Sequence, residues 1–258
     1  MRLTATNRNS SERPMHRFRS TYLNIFEFLM LLSSAEVALA QASLTQIVAA
    51  KLPKQYLVST NQLLTPEKAL RATARAHDDL QHGRLAAAQR EIARALDIAP
   101  HCAVALDVQG GIYVQNGDYQ RSADSFQQAI DADPTLGSAY LGMAESLMAQ
   151  NRYKDAQIPL DRAEALLPSA WLVHYEAALA HIHLGEIQAA FRQTALADQF
   201  TGNDPYKRSG ASYLRAMVYL KLRDSGNAKV YLKETVALEP NGYYSMLAKK
   251  GLEQLNFP

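Results

Sequence analysis

Apolar residues recur along most of this chain at three- and four-residue spacing, the period of one helical face. Between Ala103 and Pro134, Leu106, Gly110 and Tyr113 fall on one such face. Tyr119, Ala123, Phe126, Ala129 and Ile130 make a second stripe. Between the stripes, Asn116, Gly117 and Asp118 supply turn chemistry, Gly117 adopting a left-handed backbone at little steric cost. Pro134 stops the second stripe, because proline has no N–H and disfavours helix in the residue before it. The pattern predicts helix, turn, helix, stop. Such a hairpin cannot bury both stripes alone.

The unit repeats. Pro100, Pro134 and Pro168 stand 34 residues apart, and small residues keep the same step at Ala88, Ser122 and Ala156 and at Ala95, Ala129 and Ala163. Larger residues pair as Tyr113 with Leu147, Tyr119 with Tyr153, and Phe126 with Leu160. A 34-residue period of paired helices resembles the tetratricopeptide repeat family. The family pattern is matched by Gly110, Tyr113, Gly117, Tyr119, Phe126, Ala129 and Pro134, with Gln109 at the Leu slot and Ser122 at the first Ala slot as departures. The resemblance covers residues 65–256. It implies an all-α, right-handed superhelical solenoid of about five helix-turn-helix repeats with a C-terminal capping helix.

Local signals place the other units. Thr65-Pro66-Glu67 reads as a helix start, with Thr65 as cap. The first unit turns at His82-Gly83 and carries Ala72, Ala76 and Asp79 in place of large aromatics. The third turns at Asn151-Arg152, and Pro159 predicts a bend in its second helix. The fourth starts at Trp171, with Gly202 where the period expects proline. Pro240 falls 72 residues beyond Pro168 rather than two periods, so four residues are expected as an insertion around the loop Thr201 to Pro205, with unit five starting near Ser209. A last helix over 242–255 should bury Tyr243, Leu247 and Leu252.

The N-terminal part matches no repeat. Residues 1–20 are polar and basic, and an apolar run from Leu23 to Ala40, broken by Asn24, Glu27 and Glu36, ends in Ala38-Leu39-Ala40. That is the layout of a secretory signal peptide over 1–40, with an uncleaved anchor or an ordinary helix as alternatives. Residues 41–64 hold two apolar stretches about Pro53, read as a linker or capping segment, or as a segment lying in the scaffold's own groove. The repeats follow over 65–256.

Charge narrows the function. The chain's 27 basic and 25 acidic groups include five arginines and three glutamates before Gln41, leaving 22 of each beyond it. Such a balance offers no electrostatic footprint for nucleic acid. Cys102 is the only cysteine, so no intrachain disulfide forms and cysteine usage reveals no compartment.

The family resemblance implies that first helices line a concave face. Transferred by phase, the peptide-binding groove comprises Asp107, Val108, Leu141, Glu145, Met148, Leu172, Tyr175, Glu176, Leu179, Ile182, Tyr213 and Met217. This set is apolar and mildly acidic, and lacks most of the Lys, Arg and Asn with which some family members clamp a terminal carboxylate. It suits an apolar or amphipathic segment held in the helix-in-groove manner. His174, His181 and His183 lie close in sequence, but no cysteine or paired carboxylate completes a metal set. Neither a Ser-His-Asp spacing, a phosphate-cradling loop nor a metalloprotease motif is present. The expectation is therefore a non-catalytic scaffold without cofactor or metal. It would bind a protein or peptide rather than a small-molecule substrate, in an extracytoplasmic compartment, periplasmic or secreted. Alternatives are a membrane-anchored or structural subunit of a pilus, secretion or outer-membrane complex, and a cytoplasmic regulatory module.

Overall fold

The computed structural model describes Asn61 and residues 64–256. The expectations for residues 1–40 and for most of 41–64 lie outside these residues. Eleven α-helices and no strand occur among the described residues: α1 Glu67–Gln81, α2 Leu85–Ile98, α3 Ala103–Gln115, α4 Tyr119–Ala132, α5 Gly137–Ala149, α6 Tyr153–Leu166, α7 Trp171–Leu184, α8 Ile187–Gln199, α9 Pro205–Lys221, α10 Ser225–Leu238 and α11 Tyr243–Asn256. They pair as five hairpins followed by a single terminal helix, an all-α solenoid of repeats.

Each first helix packs on its own second helix, and each second helix packs on the first helix of the next unit. First helices also adjoin one another, α1 on α3, α3 on α5, α5 on α7, α7 on α9 and α9 on α11. One layer of the array is therefore made of first helices alone.

Each hairpin turns through one residue in the left-handed region: Gly83, Gly117, Asn151, Gly185 and Arg223, at φ 69°, 72°, 61°, 77° and 61°. The amide of the next residue then reaches back to a carbonyl of the first helix, as in Asp118 N–H to Tyr113 O at 2.9 Å and Asp224 N–H to Tyr219 O at 2.9 Å. This closes orphan carbonyls at the helix end in the Schellman manner.

Small residues fix how closely the helices approach. Ala88, Ser122, Ala156, Ala190 and Ala228 are fully buried early in the second helices, as are Ala95, Ala129, Ala163, Ala197 and Thr235 further on. Ser122 is accommodated because its hydroxyl donates to Gly110 O at 3.0 Å and pairs with Ser146 Oγ at 2.8 Å. The Phe126 ring lies so near α3 and α5 that a Cβ built on Gly110 would stand 2.7 Å from it, and one on Gly142 would overlap it. Gly110 is thus a packing glycine, as its helical surroundings predict.

Several sequence expectations are corrected. The inserted residues do not lengthen the loop before unit five. Helix α9 begins at Pro205, four residues ahead of Ser209, and takes the extra residues as added length at its N-terminal end, 17 residues against the 13 of α3 and α5. Asp204 makes this possible, its carboxylate accepting from Tyr206 N–H at 3.0 Å and Lys207 N–H at 3.4 Å ahead of Pro205. Thr65 does not cap α1; its hydroxyl donates to Asn61 O at 2.6 Å and the cap position is Pro66. In α11 the buried side is shifted by one residue, so Tyr244 and Ala248 are buried while Tyr243 is 58% exposed. Tyr244 packs in the cluster with Trp171 and Tyr175 of α7 and Leu214 of α9.

Candidate binding face on the first helices

The first-helix layer carries the expected groove residues in two groups. Val108, Met148, Tyr175 and Ile182 are buried, Ile182 with 0% exposure, and they pack within the hydrophobic clusters between helices. They do not form an open wall. The helical stripe of each first helix is wider than one face, so phase alone cannot separate the side turned to the neighbouring helix from the side turned outward.

The second group is accessible. Leu172 is 37% exposed, and Asp107, Leu141, Glu145, Glu176, Leu179, Tyr213 and Met217 are half-buried. They come from α3, α5, α7 and α9, successive members of the layer.

Three carboxyls set the electrostatics. Asp107 accepts from Ser138 Oγ at 2.9 Å. Burial nonetheless pushes its pKa up to about 6, against the lowering pull of that hydrogen bond and of His77 on α1. Burial raises Glu145 to about 7, and the charge on Asp107 adds to the rise. Burial raises Glu176 to about 8, with Glu145 adding its repulsion. Among the described residues, none of the three is ion-paired, and neither Glu145 nor Glu176 has a hydrogen-bond partner.

Beyond Glu176 stands an aromatic group that phase reasoning did not assemble. Trp171 and Tyr175 on α7 have ring centroids 5.0 Å apart, and Tyr244 of α11 lies 5.5 Å from Tyr175, 5.1 Å from Tyr206 and 6.0 Å from Tyr213. Burial pushes the Tyr175 and Tyr244 hydroxyls well above the usual phenol range. The signal available in sequence was the run of tyrosines in α9 and α11; Tyr206, in the added first turn of α9, lies 6.0 Å from Trp171.

The three neighbouring histidines serve three separate contacts. His174 is buried, its Nε2–H donating to Pro168 O at 2.9 Å and its Nδ1 meeting Gln193 Oε1 at 2.9 Å. His181 Nδ1 lies 2.6 Å from Glu186 Oε2. The His183 ring stacks on Tyr153 with centroids 4.1 Å apart, and burial followed by Lys221 lowers its pKa. Asn61 was also missed. It accepts from Ala103 N–H at 3.0 Å and donates to His101 O at 2.8 Å, capping α3 where Cys102 offers no side-chain bond.

Sequence models of the tetratricopeptide repeat match residues 73–136, 113–182 and 209–241. Among curated proteins none matches the chain at a significant level. Solved structures with a similar fold include YrrB, described as a repeat protein of this type with an unusual peptide-binding site. It is 20% identical over 70% of this chain and 92% of its own, with TM-score 0.54. TTC0263, a thermophilic repeat protein from Thermus thermophilus, is 18% identical over 71% and 98%, with TM-score 0.59. PilW, a type IV pilus biogenesis factor, is 18% identical over 75% and 95%, with TM-score 0.60.

Proposed function

Because this chain belongs to the tetratricopeptide repeat family, we propose that it is a non-catalytic scaffold holding an apolar or amphipathic segment of a partner protein against its first-helix face. The observation that carries this reading is the make-up of the accessible part of that face. Leu141, Leu172, Leu179, Tyr213 and Met217 stand beside carboxyls that the chain leaves without ionic partners among the described residues. Apolar surface in register with unpaired, half-desolvated charge has a stability cost, and a binding partner would relieve it. A peptide site in YrrB, which has a similar fold, is consistent with this use. At these identities the similarity speaks to fold alone.

The compartment we propose is extracytoplasmic, on the apolar run Leu23 to Ala40 and its small-residue end. No described helix is long and apolar enough to cross a membrane.

A photo-reactive amino acid placed at Leu172 in the native host tests the face, with the same group at Ile158, 75% exposed on α6, as control. A discrete adduct from position 172 and none from 158 is expected. Equal labelling at both would remove the proposal. N-terminal sequencing of the mature protein should begin at Gln41, and an intact Met1 would remove the exported reading.

A further inference from the structure

Resting on the binding face just proposed, we infer that its occupant is cationic: a partner segment carrying Lys or Arg among apolar side chains, with its positive heads seated along Asp107, Glu145 and Glu176. The three carboxyls belong to α3, α5 and α7, one from each of three adjoining first helices, so together they form a row across the layer. Several other acids of the described residues are ion-paired, as in Arg215 with Asp198 at 2.7 Å, Arg84 with Asp79 at 2.6 Å and Arg152 with Asp155 at 2.8 Å, whereas no member of the row is. Among the described residues its only neighbour of opposite potential charge is His77, facing Asp107 from α1, while Lys221 lies toward His183. Glu176, the most deeply set, has neither hydrogen bond nor ion pair among the described residues and senses only the like charge of Glu145.

Half-buried carboxyls without counterions are costly to keep, and an incoming guanidinium or ammonium removes the cost while a carboxylate would add to it. A metal ion does not fit, because no group of three ligating side chains among the described residues could hold one. The cation must therefore arrive on an extended or helical body that spans several repeats. Its apolar part has Leu141, Leu172, Leu179 and Met217 to meet. Tyr213, half-buried, and Tyr243, 58% exposed, lie near Tyr175 and are within reach of a cationic head.

The test uses the full chain and three fluorescein-labelled amphipathic helices of about 18 residues with one Leu/Ala face, whose polar face carries Lys, Gln or Glu. Anisotropy titrations at low salt should show the Lys peptide binding about tenfold or more tighter than the Gln peptide, with the Glu peptide weakest. The variant Glu145→Gln with Glu176→Gln should lose the Lys preference and keep the affinity for the Gln peptide. Affinity for the Lys peptide should also fall by about tenfold between pH 8 and pH 5.5, because protonation of Asp107, Glu145 and Glu176 removes the charge it reads. Equal binding of Lys and Gln peptides would overturn the inference and leave the apolar face standing. A Lys preference that survives the double variant would overturn it by placing the attraction elsewhere. Should no peptide bind, the face itself fails with it. If changing Arg8, Arg13, Arg17 and Arg19 to Gln tightens the Lys peptide, the occupant is this chain's own N-terminus and not a partner.

Discussion

Phe126 is the side chain on which the second and third repeats meet, inserted where Gly110 of α3 and Gly142 of α5 leave room for its ring. The substitution Gly142→Ala puts a methyl group into that ring. It should cost about 1–3 kcal/mol in urea denaturation, and combining it with Phe126→Leu should restore much of the loss. Glu176 acts in the opposite sense. Its folded pKa of about 8 lies above that of an unfolded glutamate, so the folded state holds its proton more tightly. The associated stability is present below the unfolded value and is lost as pH rises toward 8. Glu176→Gln should therefore raise the unfolding free energy by about 1–3 kcal/mol at pH 8.5 and leave it unchanged at pH 4. A variant no more stable at pH 8.5 would mean that the carboxyl is not desolvated as described.

At the scale of the element, the five hairpins share one turn geometry but not one turn residue. Gly83, Gly117 and Gly185 take the left-handed position without a Cβ penalty, whereas Asn151 and Arg223 occupy it with one. Arg223→Gly should therefore stabilise the chain by up to about 1 kcal/mol, and Asn151→Gly by less, because asparagine tolerates this conformation. Thermal melts of the two variants, read side by side, check that order. Helix α9 depends on its cap, since its added turn over 205–208 precedes the repeat and has Asp204 to hold its first amides. Asp204→Ala should cost about 1 kcal/mol and raise amide exchange over 205–208.

Over the whole molecule, each repeat touches mainly its neighbours, so disturbance should travel by adjacency. Leu232, fully buried beside Ala216 and Ala248, joins α10 to α9 and α11. Leu232→Ala should cost about 2–5 kcal/mol. Hydrogen exchange should rise first in α9 to α11 while α3 to α6 keep their protection. Uniform loss of protection would show one cooperative core instead of a chain of interfaces. The proposed binding face lies within this gradient, because its acidic row sits on α3 to α7 and its tyrosines on α7, α9 and α11.

What the sequence determined by itself was the repeating unit. The prolines at 100, 134 and 168, the small residues of the second helices and the turn at Asn116-Gly117-Asp118 act within one hairpin or one helix contact, so their spacing alone discloses them. Tertiary structure decided the rest. Whether Ile182 or Leu172 faces outward, whether Tyr243 or Tyr244 is buried, and whether four extra residues lengthen a loop or α9 depend on which neighbouring helix occupies the remaining space. That Asp107, Glu145 and Glu176 have no ion pair among the described residues is likewise a property of three helices brought side by side, and no stretch of chain shorter than the assembled layer contains it.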